Sequence, residues 1–91
     1  MKAVAEITIS GMVQGVGFRW FTLKRAKELD LTGFVKNLHD GNVFVRAEGE
    51  HDRIEVLIEQ LRNGPTFSRV KNVTINWSES KTQHETFFVE E

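Results

Sequence analysis

A chain of 91 residues with 12 Lys and Arg against 13 Asp and Glu has room for one small domain. Its net charge of −1 provides no broad basic footprint for nucleic acid. The chain has no cysteine, which excludes disulfides, thiolate nucleophiles and Cys-based zinc sites, and it has neither a membrane-length apolar run nor a signal-peptide core, so a cytoplasmic protein with no membrane partner is expected.

Ala3, Ala5, Ile7 and Ile9 alternate with Val4, Glu6, Thr8 and Ser10, which predicts a strand over 3–10 with the odd positions facing a core. A glycine-rich stretch follows. Phe18, Phe21, Thr22, Ala26 and Leu29 then share one face at helical spacing and predict a helix over 18–29. Trp20 and Leu23 fall off that stripe and are read as loop contacts or partly exposed side chains, not as binding residues. Residues 32–38 read as a second strand. Residues 42–49 read as a third, with Val43, Val45 and Ala47 alternating against Asn42, Phe44, Arg46 and Glu48. Asp40-Gly41 between them is a hairpin signal. The second helix is expected to start near Asp52 as N-cap, with Glu55 placed for a capping box. Ile54, Leu57, Ile58 and Leu61 form its apolar stripe, and Gly64 with Pro65 stops it. A fourth strand is expected over 69–78 with Val73, Ile75 and Trp77 inward, then a polar loop, then a short strand over 86–89.

This order predicts an α+β, ferredoxin-like split β-α-β sandwich (βαββαβ). Its sheet is antiparallel, two helices cover one face, and a short extra strand lies at the C-terminus. Phe34 and Phe44 are expected on the less covered face. Strands one and two run in the same direction, so the loop after strand one and the end of strand two lie at one end of the sheet.

The stretch Gly11-Met12-Val13-Gln14-Gly15-Val16-Gly17-Phe18-Arg19 joins the first strand to the first helix. Its three glycines permit positive φ and close approach of a ligand to the backbone. The first amides of the helix lack intrahelical partners, and the helix dipole favours an anion there. Arg19 stands in the first turn, where a cation is disfavoured unless an anion lies beside it, and its guanidinium can grip phosphate oxygens bidentately. Together these features describe a phosphate cradle; on spacing alone, a glycine-rich connector with a solvated arginine is the alternative. The Walker pattern fails at Gly17-Phe18-Arg19, and the dinucleotide fingerprint fails at Trp20.

The run 11–19 resembles the acylphosphatase signature, Gly-x-Val-Gln-Gly-Val-x-Phe-Arg, at every specified position. Gly33-Phe34-Val35-Lys36-Asn37, followed by Asp40-Gly41-Asn42-Val43, is similar to that family's second motif, and Gly64-Pro65 is a weaker third match. The resemblance covers nearly the whole chain and implies one acylphosphatase-like domain over 1–91. It implies hydrolysis of acyl phosphates to a carboxylate and inorganic phosphate, the latter both product and inhibitor. Carried over by motif, Arg19 binds the phosphate, Asn37 positions the attacking water, and the backbone amides of Gln14, Gly15, Val16, Gly17 and Phe18 line the cradle.

The residue inventory suits such a reaction. Ser10 has no His–acid pair near it in sequence, Asp40 is explained by its turn, and His39, His51 and His84 read as surface histidines. Neither the loop nor the Asn37 region has carboxylates at metal-ligand spacing, so a metal-independent, cofactor-free reaction is expected. An asparagine takes no proton near neutral pH, but it can orient a water. A carboxylate leaving group, with a pKa near about 4, needs little general-acid help. Asn37 ending a strand before a turn, and Gln14 donating to the loop backbone, are the plain structural alternatives. Two rival functions share the pattern. One is a module that senses acyl phosphate without turnover. The other is an RNA-recognition module, for which Phe44 and Arg46 qualify but the basic-Gly-aromatic signature is absent. The expected partner is a small acyl phosphate substrate, with no nucleic acid and no membrane, and the protein is expected to be a monomer.

Overall fold

The computed structural model describes residues 1–79 and 81–91. Its elements are β1 (Lys2–Met12), α1 (Phe18–Glu28), β2 (Thr32–Asn37), β3 (Val43–Glu50), α2 (His51–Asn63), β4 (Arg69–Ser78) and β5 (Phe87–Val89). Alternation along the strands decides which face is dry. Ala5, Ile7 and Ile9 of β1, Val35 of β2, and Val43, Val45 and Ala47 of β3 are fully buried. Ile54, Leu57, Ile58 and Leu61 of α2 and Phe18 and Ala26 of α1 complete the same core. Thr22 is buried within α1, and its hydroxyl donates to the Phe18 carbonyl at 2.9 Å, so the helix interior carries no orphaned hydroxyl. Phe21, Leu23 and Leu29 pack against the core from its edge, so Leu23 is a packing residue although it lies off the predicted stripe.

The five strands lie in the order β4-β1-β3-β2-β5. The first four pair antiparallel, as the order of elements predicts. The fifth pairs parallel with β2, through Gly33↔Phe87, Phe34↔Phe88 and Val35↔Val89, so the sheet is mixed and not wholly antiparallel. The reason lies in the connection. β4 occupies one edge and β5 the other, so the chain between them returns across the sheet. There the amides of Gln83 and His84 donate to the carboxylate of Glu48, which projects from the helix-free side of β3 and is completely buried. The His84 ring also contacts that carboxylate, so His84 is not the solvated surface histidine expected from its polar neighbours. No helix among the described residues is long and apolar enough to cross a membrane.

Two further expectations shift. Glu50 holds the N-cap of α2 without a side-chain cap bond, and Asp52 falls inside the first turn, where its charge complements the helix dipole. Trp77 shares the parity of Val73 and Ile75 but remains 42% exposed, because β4 is an edge strand. Its indole stacks on the His51 ring at 4.2 Å instead.

Candidate active site

Strand register brings the two motifs together. Val43 on β3 is flanked by Ile9 of β1 and Asn37 of β2, so the ends of β1 and β2 coincide. Beyond Ile9 the ladder to β4 slips between Ser10 and Gly11. Gly11 adopts φ 123 there, and a Cβ at that position would sit 2.1 Å from the Arg69 carbonyl oxygen. Only glycine can make this bulge, which turns the chain from the sheet into the loop. Gly15 and Gly17 take left-handed φ of 74 and 80, with open space around each, so conformation is what demands glycine at these two positions.

Gly17 is the N-cap of α1, and its carbonyl accepts the Phe21 amide at 3.0 Å. Among the described residues, no amide from Gln14 to Phe18 donates to a backbone carbonyl. The first turn of α1 contains no acidic residue, and Arg19 enters no ion pair among the described residues. Unpaired amides, a helix N-terminus and a free guanidinium therefore meet in one place, an arrangement suited to a tetrahedral anion.

A cavity of about 260 Å³ has Gly15, Gly17, Phe18 and Arg19 in one part of its lining and Asn37 in another. These five residues of the predicted site are brought together. Gln14 and Val16 lie outside the lining. The Gln14 amide nitrogen instead donates to the carbonyls of Leu38 and Asn42, at 2.8 Å each, clamping the loop to the β2–β3 turn that follows Asn37. Its side chain thus bonds backbone, but across to the hairpin and not within its own loop. Asp40 accepts the Asn42 amide at 3.0 Å and serves the turn, as its sequence context indicates. The Asn37 Oδ1 is buried and has no hydrogen-bond partner among the described residues.

Sequence reasoning missed part of the lining. Val13, Trp20, Val89 and Glu91 complete it. Trp20, read above as a non-binding residue, stands at the cavity 68% exposed. Val89 and Glu91 arrive through the parallel pairing of β5, for which the sequence carries no local signal.

His51, Asp52 and Glu55 place ligand-type atoms within 4.8 Å of one another at the start of α2. They belong to the other end of the sheet. β3 carries the chain away from Val43 over eight residues, about 25 Å, before α2 begins. This group therefore does not serve the cradle.

The acylphosphatase family model matches residues 5–89. The chain belongs to the acylphosphatase family. A relative named acylphosphatase from Salinibacter ruber is 49% identical over 81 residues, covering 89% of this chain and 85% of its own. The crystal structure of acylphosphatase from Bacillus subtilis is similar with a TM-score of 0.95 at 36% identity, over 100% of both chains. An acylphosphatase structure from Coxiella burnetii matches with a TM-score of 0.88 at 44% identity, over 98% of this chain and 93% of that one. The acylphosphatase signature, residues 11–19, coincides here with the bulge, the loop and the first helical turn around the cavity.

Proposed function

We propose that the protein hydrolyses the carboxyl–phosphate bond of small acyl phosphates, with Arg19 and the loop amides around Gly15, Gly17 and Phe18 holding the phosphate and Asn37 holding the attacking water. Family membership carries the reaction class. The observation that supports the division of roles is that Asn37, whose buried Oδ1 has no hydrogen-bond partner among the described residues, lines the same cavity as the free amides of the cradle. A buried acceptor without a donor costs about 1–3 kcal/mol, and a water that donates to it removes that cost.

Such a water keeps its second proton and directs a lone pair at phosphorus. Its oxygen bonds to phosphorus while the bond from phosphorus to the acyl oxygen breaks, and that electron pair leaves with the carboxylate. The water's proton passes to a non-bridging phosphate oxygen, giving a carboxylate and dihydrogen phosphate. Asn37 neither takes nor gives a proton. The cradle lowers the barrier by positioning and by stabilising charge on the phosphoryl oxygens.

Hydrolysis of acetyl phosphate in the presence of a chelator tests this reading. Full activity is expected, with inorganic phosphate and sulfate competing against substrate. Activity that vanishes with chelator and returns with magnesium or zinc overturns the mechanism, and noncompetitive inhibition by phosphate moves the site elsewhere.

Gln14 is a positioning residue in this scheme, because its two bonds tie the cradle loop to the turn beside Asn37. At about 1 kcal/mol per bond, Gln14→Ala is expected to lower the Tm by roughly 5–15 °C. Below that Tm it should lower kcat about tenfold, as water and phosphate lose their mutual alignment. A variant that loses stability but keeps wild-type kcat would reduce Gln14 to a structural clamp.

A further inference from the structure

The cradle, Arg19 and Asn37 account for the phosphate and the water and leave the acyl half of the substrate without a partner. Two residues of opposite character, Trp20 and Glu91, line the cavity beside the cradle. Trp20 follows Arg19 directly in the first turn of α1, and its indole is 68% exposed at the cavity. Glu91 reaches the cavity through β5. Val89 pairs with Val35, the Glu90 amide donates to the Val35 carbonyl at 2.9 Å, and Lys36 pairs with Glu90 at 3.4 Å. Two residues past Val35 and Val89, Asn37 and Glu91 line the same cavity.

A carboxylate next to an anion-binding cradle weakens phosphate binding, and Glu91 enters no ion pair among the described residues that would give it a structural purpose. Its chemistry has a use if it discriminates, since specificity is commonly built from a repulsive element set beside an attractive one. Size agrees. At about 260 Å³ the cavity falls below the range of roughly 300–1,000 Å³ typical of sites for drug-sized ligands, which suits a phosphate carrying a short chain or one ring.

We propose that Trp20 and Glu91 select the acyl group: the Trp20 indole receives flat or apolar acyl groups, and Glu91 repels acyl groups that carry a carboxylate of their own. The proposal rests on the hydrolase reading above.

The test compares kcat/KM for benzoyl, acetyl and succinyl phosphate in the wild-type chain and in Trp20→Ala, Trp20→Phe and Glu91→Gln. Wild type is expected to prefer benzoyl to acetyl and acetyl to succinyl phosphate. Trp20→Ala should lower the benzoyl-to-acetyl ratio roughly fivefold, chiefly through KM, while Trp20→Phe keeps most of it. The Kd of Trp20→Ala for inorganic phosphate should stay within about twofold, showing an intact cradle. Glu91→Gln should raise the succinyl-to-acetyl ratio roughly threefold at low salt, the scale of an exposed charge pair, and less at high salt. Turnover with both ratios unmoved overturns the selection alone, as does an equal loss on benzoyl and acetyl phosphate in Trp20→Ala. A wild-type protein that turns over none of the three overturns the hydrolase reading, and this proposal with it.

Discussion

Asn37→Ala is expected to lower kcat by about two orders of magnitude while its affinity for inorganic phosphate stays within a few-fold of wild type. Arg19→Ala is expected to lose both. The contrast follows from what each side chain meets. Arg19 has no ion-pair partner among the described residues and stands where the helix dipole draws anions, so in the proposed mechanism it grips phosphate in ground state and transition state alike. Each charge-assisted bond it makes is worth about 1.5–3 kcal/mol, so phosphate affinity should fall at least about tenfold. Arg19→Lys should rescue poorly, because an ammonium cannot reproduce the two-pronged grip. In the proposed mechanism Asn37 contributes its Oδ1, unpartnered among the described residues, and an acceptor suits a water and not an anion. Asn37→Asp is the sharper variant. A site that needed a general base would accept it, whereas a site that needs a neutral amide beside an anionic substrate makes Asp as poor as Ala. Neither residue belongs to the apolar core, so circular dichroism should show folded variants in each case. An active Asn37→Ala enzyme, or one that loses phosphate binding as Arg19→Ala does, refutes the separation of roles.

The elements that organise this site are local in the sequence. Alternation at Ala5, Ile7 and Ile9 and the stripe Ile54, Leu57, Ile58 and Leu61 are short-range patterns, and the structure buries all seven. The glycine loop is equally local, because φ 74 and 80 at Gly15 and Gly17 are demands on single residues. Asn37 is different. From its neighbours it reads as the end of a strand; the family motif singles it out, the order of elements brings the end of β2 to the loop after β1, and the register through Val43 fixes the alignment. Long-range placement hid the rest. Three residues, Phe87–Val89, carry no preference for one sheet edge over the other, so their parallel pairing and the delivery of Glu91 were not legible. Trp20 lies off the core stripe for a reason that its own helix cannot reveal, since the cavity it lines is closed by β2 and by the chain after β5. Arg46 and Phe44 looked compatible with RNA from their strand alone. In the fold, Arg46 is engaged by Glu48 at 2.6 Å and Glu6 at 3.3 Å, so the basic contact that reading required is already neutralised.

Glu48 is the residue most misrepresented by its surroundings in sequence, where it reads as one more polar position on an open sheet face. It is fully buried, and five donors converge on it. Arg46 Nε lies at 2.6 Å, the His84 ring at 2.5 Å and the Thr32 hydroxyl at 3.1 Å, with the Gln83 and His84 amides at 2.9 and 3.0 Å. Burial pushes its carboxyl up, but the bonds from Arg46, His84 and the two amides outweigh that and hold it at about 2, against an ordinary 4.5. Above 4.5 the group is ionised in folded and unfolded chains alike, and the stabilisation is fully present. As pH falls from 4.5 towards 2 the unfolded chain binds its proton first, and stability is lost over that window. A shift of this size corresponds to about 3 kcal/mol. Glu48→Gln is therefore expected to unfold roughly 10–20 °C below wild type at pH 7, and the two melting curves should converge as pH is lowered from 5 to 2. Amide exchange at Gln83 and His84 should quicken in the variant, because the acceptor that fastens this segment to the sheet is weakened. A Tm difference that stays constant across that pH range would mean that Glu48 stabilises the fold through packing and not through its charge.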